Sequence, residues 1–141
     1  MSEGSGSTSI DKDKLIKLLD EMRASLSGYL SDIKGLSSDL LLYIEIINRL
    51  SRDIGELSRS ISETPLDNLP ATKIKELSNT DEKIYKLSLG IYDLINKISG
   101  RPLNIADQRF YIQMLLDGLK RLKELLEERK NLMEKKEEGL S

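Results

Sequence analysis

One apolar stripe in the first half of the chain constrains its fold more than any other feature. Steps of four and three residues, taken alternately from residue 15 to residue 61, meet an apolar residue or a tyrosine at every stop. The stops are Leu15, Leu19, Met22, Leu26, Tyr29, Ile33, Leu36, Leu40, Tyr43, Ile47, Leu50, Ile54, Leu57 and Ile61. A helix with this 3.5-residue spacing must supercoil around another helix to keep the stripe buried. The stripe therefore predicts packing between helices.

The amino-acid usage favours helices and excludes several classes of chemistry. The 141-residue chain has no Cys, His or Trp and only one Phe, and Val is also absent. Leu, which dominates the apolar residues, is a strong helix former, so we expect an all-α protein with a single domain. The commonest metal ligands and general bases are missing, and the sequence has neither a phosphate-binding glycine loop nor a zinc-ligand spacing. We therefore expect no enzyme activity, no cofactor and no metal site.

Charge and hydropathy indicate a protein of the cytoplasm. The formal net charge of −2 is spread along the chain, which disfavours broad contact with nucleic acid or anionic lipid. We expect no membrane span, since no segment approaches about eighteen uninterrupted apolar residues. Residues 1–9 are rich in Gly and Ser and lack the apolar part of a secretory signal. The many Lys, Glu and Ile residues resemble the usage of a thermophile.

Turn signals divide the chain into three predicted helices. Pro65 and Pro70 interrupt the pattern after the stripe, and Gly100 followed by Pro102 stops it again. We predict helices at about 9–62, 70–99 and 105–137, in one domain that covers 9–138, with disordered ends at 1–8 and 139–141. Short connections make successive helices antiparallel neighbours. The sequence thus predicts a three-helix antiparallel bundle with one very long first helix.

The N-terminal part of this first helix would have no cover from its own chain, because the helix would be about 80 Å long and the other two only about 45 and 50 Å. The predicted partner interface is formed by six apolar residues of that part, Leu15, Ile16, Leu18, Leu19, Met22 and Leu26. We predict that they join two copies in a coiled-coil homodimer. The alternative is a monomeric four-helix bundle in which the first helix breaks near Gly28 or Gly35, since glycine costs about 1 kcal/mol in a helix interior.

Charged residues beside these patterns have structural explanations. Asp32, Asp39 and Asp53 share one heptad position, but one heptad separates residues by about 10 Å, which is too far for a shared metal ion or paired acid and base chemistry. We expect Asp32 and Asp39 to meet Arg or Lys across a helix interface, with Arg49 and Arg52 of a second copy as candidates.

Basic residues in and before the last helix are candidates for contact with nucleic acid. They are Arg101, Arg109, Lys120, Arg121 and Lys123. Such residues track a phosphate backbone, although neighbouring glutamates dilute the field. The leading hypothesis is a non-enzymatic helical scaffold or adaptor that self-associates and binds a protein partner through amphipathic helices. The second hypothesis is a small helical subunit of a nucleic-acid-handling complex that contacts the phosphate backbone.

Overall fold

Four helices form the protein. A computed structural model describes residues 11–33, 38–65, 69–101 and 104–138, with side chains up to residue 134. The helices are α1 (Lys12–Asp32), α2 (Ser38–Glu63), α3 (Ala71–Ile98) and α4 (Ile105–Glu138). No strand occurs in these ranges. The prediction of an all-α helical bundle is confirmed.

Side-chain caps begin the first and last helices. The Asp11 carboxylate accepts a hydrogen bond from the backbone N–H of Asp13 at 3.1 Å, and the Asn104 amide oxygen accepts one from Asp107 at 2.8 Å. Each cap satisfies one of the amides that a helix leaves unpaired in its first turn. The two caps therefore mark the residues at which α1 and α4 begin.

The predicted long first helix is two helices in the structure, and this corrects the three-helix prediction. α1 ends at Asp32, where Ile33 has extended backbone angles, φ −71° and ψ 134°. Gly28 lies inside α1, so the chain does not break there. Gly35, the other predicted break, lies outside the described residues. The described part of the chain thus has four helices, the number expected in the alternative prediction of a four-helix bundle.

The helices occupy the four corners of a square. α1 packs on α2 and α3, and α4 packs on the same two helices. Within the described residues, the backbones of α1 and α4 do not approach each other, and neither do those of α2 and α3. The connection between α2 and α3 therefore crosses the diagonal of the bundle, whereas the other two connections join adjacent helices.

Polar contacts fix the direction of α2 relative to its neighbours. Lys12 Nζ, at the start of α1, donates to the carbonyl oxygen of Thr64, just after the end of α2. Arg23 Nε, farther along α1, donates to the carbonyl oxygen of Ser51, which lies earlier in α2. α1 and α2 are therefore antiparallel. Ion pairs join α2 to α4 with a constant offset of 70 residues, so these two helices are parallel.

The stripe identified in the sequence forms the core of α1 and α2. Every member of it in the described residues is buried or half-buried. Of the predicted partner interface, Ile16 is half-buried against the core, and the other five are buried, namely Leu15, Leu18, Leu19, Met22 and Leu26. The expectation that these six residues need a second copy for cover is corrected. The chain reverses direction at the end of α1, so that α2 and α3 of the same chain cover these residues.

None of the helices in the described ranges is both long enough and apolar enough to span a lipid bilayer.

Candidate functional site

Exposed apolar side chains are concentrated at one end of the bundle. The described part of the chain has eight exposed large apolar residues, and six of them belong to the first halves of α2 and α4. We call these six the apolar end: Leu41, Leu42, Ile46, Ile105, Phe110 and Met114. Their exposure ranges from 37% to 66%. The other two, Ile74 and Leu89, lie on α3.

The register of α2 and α4 places these six residues in the same end of the bundle. Because paired residues of the two helices differ by 70 in number, Leu42 lies at the level of Ile112, and Ile46 at the level of Leu116. Two exposed pairs follow helical spacing: Leu42 with Ile46, and Phe110 with Met114, each four residues apart. The apolar end is therefore confined to the end of the bundle at which α2 and α4 begin.

The two aromatic residues near the start of α4 have a defined geometry. The rings of Phe110 and Tyr111 meet edge to face, with centroids 5.4 Å apart and an interplanar angle of 66°. Tyr111 is half-buried against the core, whereas Phe110 is 60% exposed. The contact orients the exposed Phe110 ring, which lowers the side-chain entropy that a binding event would have to remove.

Most of the predicted nucleic-acid contacts are already paired with carboxylates of the chain. Arg109 binds Asp39, and Lys123 Nζ lies 3.0 Å from an Asp53 oxygen. Hydrogen bonds to these carboxylates raise the pKa of Arg109 and the pKa of Lys123. The prediction that Asp39 meets an Arg or Lys of a neighbouring helix is therefore confirmed. The partners belong to α4 of the same chain and not to Arg49 and Arg52 of a second copy.

The remaining basic candidates do not complete a continuous positive surface. Arg121 lies 3.2 Å from a Glu124 oxygen and 3.7 Å from a Glu128 oxygen. Arg101 and Lys120 are exposed. Paired and diluted charges of this kind weaken attraction to a phosphate backbone.

A buried ion pair joins α3 to α4 at the opposite end of the bundle. Arg129 Nε donates to one Asp81 oxygen at 2.6 Å, and Nη2 lies 3.4 Å from the other. The two side chains are only 3% and 8% exposed. Burial raises the pKa of the Asp81 carboxyl, and the hydrogen bond and charge of Arg129 oppose that rise. Because the pair is buried in the protein interior, either charge without the other would lower the stability of the fold.

The sequence analysis missed this pair, although a signal for it exists. Steps of four and three along α3 run through Leu77, Asp81, Ile84, Ser88, Ile91, Ile95 and Ile98, all of which are buried. The same stepping in α4 passes from Leu122 and Leu126 to Arg129. A charged residue at a core stop of each helix indicates a buried pair. The charge-rich sequence around Arg129 instead favoured a solvated surface.

A cavity of about 270 Å³ lies beside Arg129, between α2 and α4. Its lining includes the apolar Leu57, Ile61, Leu126 and Met133 and the polar Ser60, Thr64, Lys130 and Glu134. Nowhere in the described ranges do three or more acidic side chains gather in a group that could hold a metal ion. The arrangement supports packing and charge pairing, and we assign it no chemistry.

No family model, curated protein or solved structure matches the chain.

Proposed function

We propose that this protein is a non-enzymatic helical adaptor that binds a protein partner through the apolar end. The single observation that carries the proposal is the concentration of exposed large apolar side chains in the first halves of α2 and α4. Single exposed apolar residues are normal, but several of them gathered in one region of a protein are typical of interaction sites. The location that goes with this function is the cytoplasm.

An amphipathic helix of another protein is the occupant that fits this surface. The exposed pairs, Leu42 with Ile46 and Phe110 with Met114, repeat at four-residue spacing along nearly parallel helix axes. A partner helix with apolar residues at the same spacing would cover one such row over its own length. The ion pair of Asp39 and Arg109 would lie at the rim, where charges set orientation more than affinity.

The test compares a variant with charges in the apolar end and a control variant with a charge outside it. Leu42→Glu combined with Phe110→Glu places two charges in the apolar end, whereas Leu89→Glu changes an exposed leucine of α3 outside it. Both proteins should keep the helical circular dichroism of the wild type. Proteins captured from a lysate of the source organism are identified by mass spectrometry, and each is then titrated in purified form against the three proteins.

We expect a partner that binds the wild type and Leu89→Glu with similar Kd and binds the double variant at least ten-fold more weakly. A loss of this size corresponds to about 1.4 kcal/mol, the order expected for losing one apolar anchor. A purified partner that binds all three proteins equally would contradict the proposal.

Binding to nucleic acid is the weaker alternative, because Arg109, Arg121 and Lys123 are paired with carboxylates. It requires binding that weakens steeply with salt. Titration of the protein against a labelled single-stranded and a labelled duplex oligonucleotide at two salt concentrations decides the matter. Salt-sensitive binding that Arg109→Glu reduces would favour this alternative over the adaptor.

A further inference from the structure

The apolar stripe continues in one heptad phase from α1 into α2, although the chain reverses direction between them. Leu26, Tyr29, Ile33, Leu36, Leu40, Tyr43 and Ile47 follow one another by steps of three and four. Two antiparallel helices have no need of a common phase, because the turn lets each rotate independently about its own axis. A single helix does need it, since a shift in phase would turn half of its apolar face outward. The pattern therefore fits a second conformation in which α1 and α2 are one straight helix.

We propose that two copies of this chain exchange α1 and form a domain-swapped dimer. In this dimer the helix of each copy is continuous from α1 into α2, and α1 of one copy packs on α2 and α3 of the other. The homodimer expected from the sequence and the four-helix monomer of the structure are then two states with the same α1 interface.

The contacts of α1 are of a kind that another copy can supply without loss. In the described residues α1 packs on α2 and α3 and does not reach α4, so it occupies one corner of the bundle and can leave as a unit. Lys12 donates to the carbonyl oxygen of Thr64, just after α2, and Arg23 donates to the carbonyl oxygen and to the hydroxyl of Ser51 in α2. A second copy presents the same oxygens and the same apolar surface. Exchange of an identical element costs no contact, which makes it an accessible route to a dimer.

Within the described residues, the end of α1 carries fewer stop signals than the end of α3. α3 ends at a left-handed Gly100, with φ 76°, after Ser99 has bonded the Ile95 carbonyl oxygen through both its N–H and its hydroxyl. Lys97 adds a favourable positive charge to the last turn of α3. α1 has no basic residue in its last turn, and no side-chain hydrogen bond from Ile33 closes its end. A helix with few stop signals costs less to extend.

Concentration and hinge composition set the balance between the two states. A short linker gives the α1 of the same chain an effective concentration on the order of millimolar, so the monomer dominates at micromolar protein. The dimer gains when the segment that joins α1 to α2 becomes a better helix former. Gly35 in this segment is the residue with the lowest helix propensity there, and each dimer contains two copies of it.

The first test is sedimentation equilibrium of Gly35→Ala with Gly28→Ala as its matched control. The Gly35→Ala change should lower the dimer Kd by about 30-fold, which corresponds to about 2 kcal/mol for two glycines in the straightened helix. Gly28 lies inside α1, with open space around it, and stays helical in both states, so Gly28→Ala should leave the Kd unchanged. A monomer at every concentration for Gly35→Ala, or an equal response to both changes, would overturn the proposal.

The second test separates an exchanged dimer from two monomers side by side. The chain has no cysteine, so one copy can carry Arg23→Cys and another Ser51→Cys, positions that lie in contact across α1 and α2. The two are mixed at high concentration in the Gly35→Ala background and treated with a short bismaleimide. Exchange predicts a cross-linked dimer in the mixture and none with either protein alone. A dimer by sedimentation that gives no mixed cross-link refutes the exchange.

Discussion

The buried pair of Asp81 and Arg129 makes a sharp prediction for stability. Arg129→Met keeps most of the side-chain volume but leaves the Asp81 carboxylate in the core without its cation. Breaking a buried pair by removing one partner costs about 3–5 kcal/mol of unfolding free energy. Replacing both residues, with Asp81→Leu and Arg129→Met, removes both buried charges. The double variant should be as stable as the wild type or more stable by about 1–4 kcal/mol.

The pH dependence of Arg129→Met follows from the position of the Asp81 carboxyl. Burial raises its pKa in the folded protein, and Arg129 opposes that rise. Removing Arg129 removes only the opposing contribution, so the folded pKa moves farther above the unfolded value of about 3.9. Between these two values the folded state binds the proton more tightly. The stability of the variant is therefore greatest below the unfolded pKa and is lost as the pH rises through the folded pKa.

Urea unfolding followed by far-ultraviolet circular dichroism measures both effects. The wild type, Arg129→Met and the double variant are compared at about pH 4 and about pH 7. Arg121→Met is the matched control, since Arg121 is an ion-paired arginine of the same helix whose side chain is 51% exposed. Its loss should be below about 1 kcal/mol and nearly independent of pH. Equal stability of Arg129→Met and the wild type at pH 7, or a double variant weaker than Arg129→Met, would refute the reasoning.

Two further predictions concern small residues inside the helices. Gly28→Ala should raise the unfolding free energy by about 1 kcal/mol because nothing lies near its Cβ position, whereas Gly55→Ala should lose that gain, since its Cβ would lie 2.5 Å from Arg23 Cζ. Urea unfolding in an Arg23→Ala background checks the cause, because Gly55→Ala should stabilise the protein there. Ser88 is fully buried, and its hydroxyl has no hydrogen-bond partner in the described part of the chain, so Ser88→Ala should stabilise by about 1–3 kcal/mol. Thermal unfolding measures the effect, and Ser27→Ala at an exposed helical position is the control for helix propensity. An equal rise in Tm for both changes would contradict the prediction.

The sequence predicted which side chains are buried much better than it predicted what buries them. The alternating stripe identified the core face of α1 and α2 at each described stop from Leu15 to Ile61. A 3.5-residue repeat defines a face but carries no information on the direction in which the chain continues. The same residues therefore fit one long helix or two antiparallel ones, and the partner interface predicted from a long helix became core in the structure. The stop signals around Gly100 and Pro102 are strong, and α3 and α4 lie within one residue of their predicted bounds.

The candidate site was harder to predict because exposure depends on the arrangement of all four helices. Leu42 and Ile46 are apolar residues of α2 that do not belong to the alternating stripe. In the structure, α2 has only α1 and α4 beside it, and these two residues remain outside. A surplus of apolar residues can be seen in a sequence. Which of these apolar residues remain exposed depends on the diagonal connection between α2 and α3, and no local sequence pattern predicts that connection.

Buried polar residues are distributed unequally among the helices, and this distribution bears on which helix can exchange. The core row of α3 contains Asp81 and Ser88, and Asp81 is matched by Arg129 of α4 in a geometry that tolerates no shift in register. The α1 core row is entirely apolar except for the Tyr29 hydroxyl. Polar pairs specify register, whereas apolar rows accept any equivalent surface. We therefore expect α3 and α4 to remain together as one unit, and α1 to be the helix that a second copy can replace.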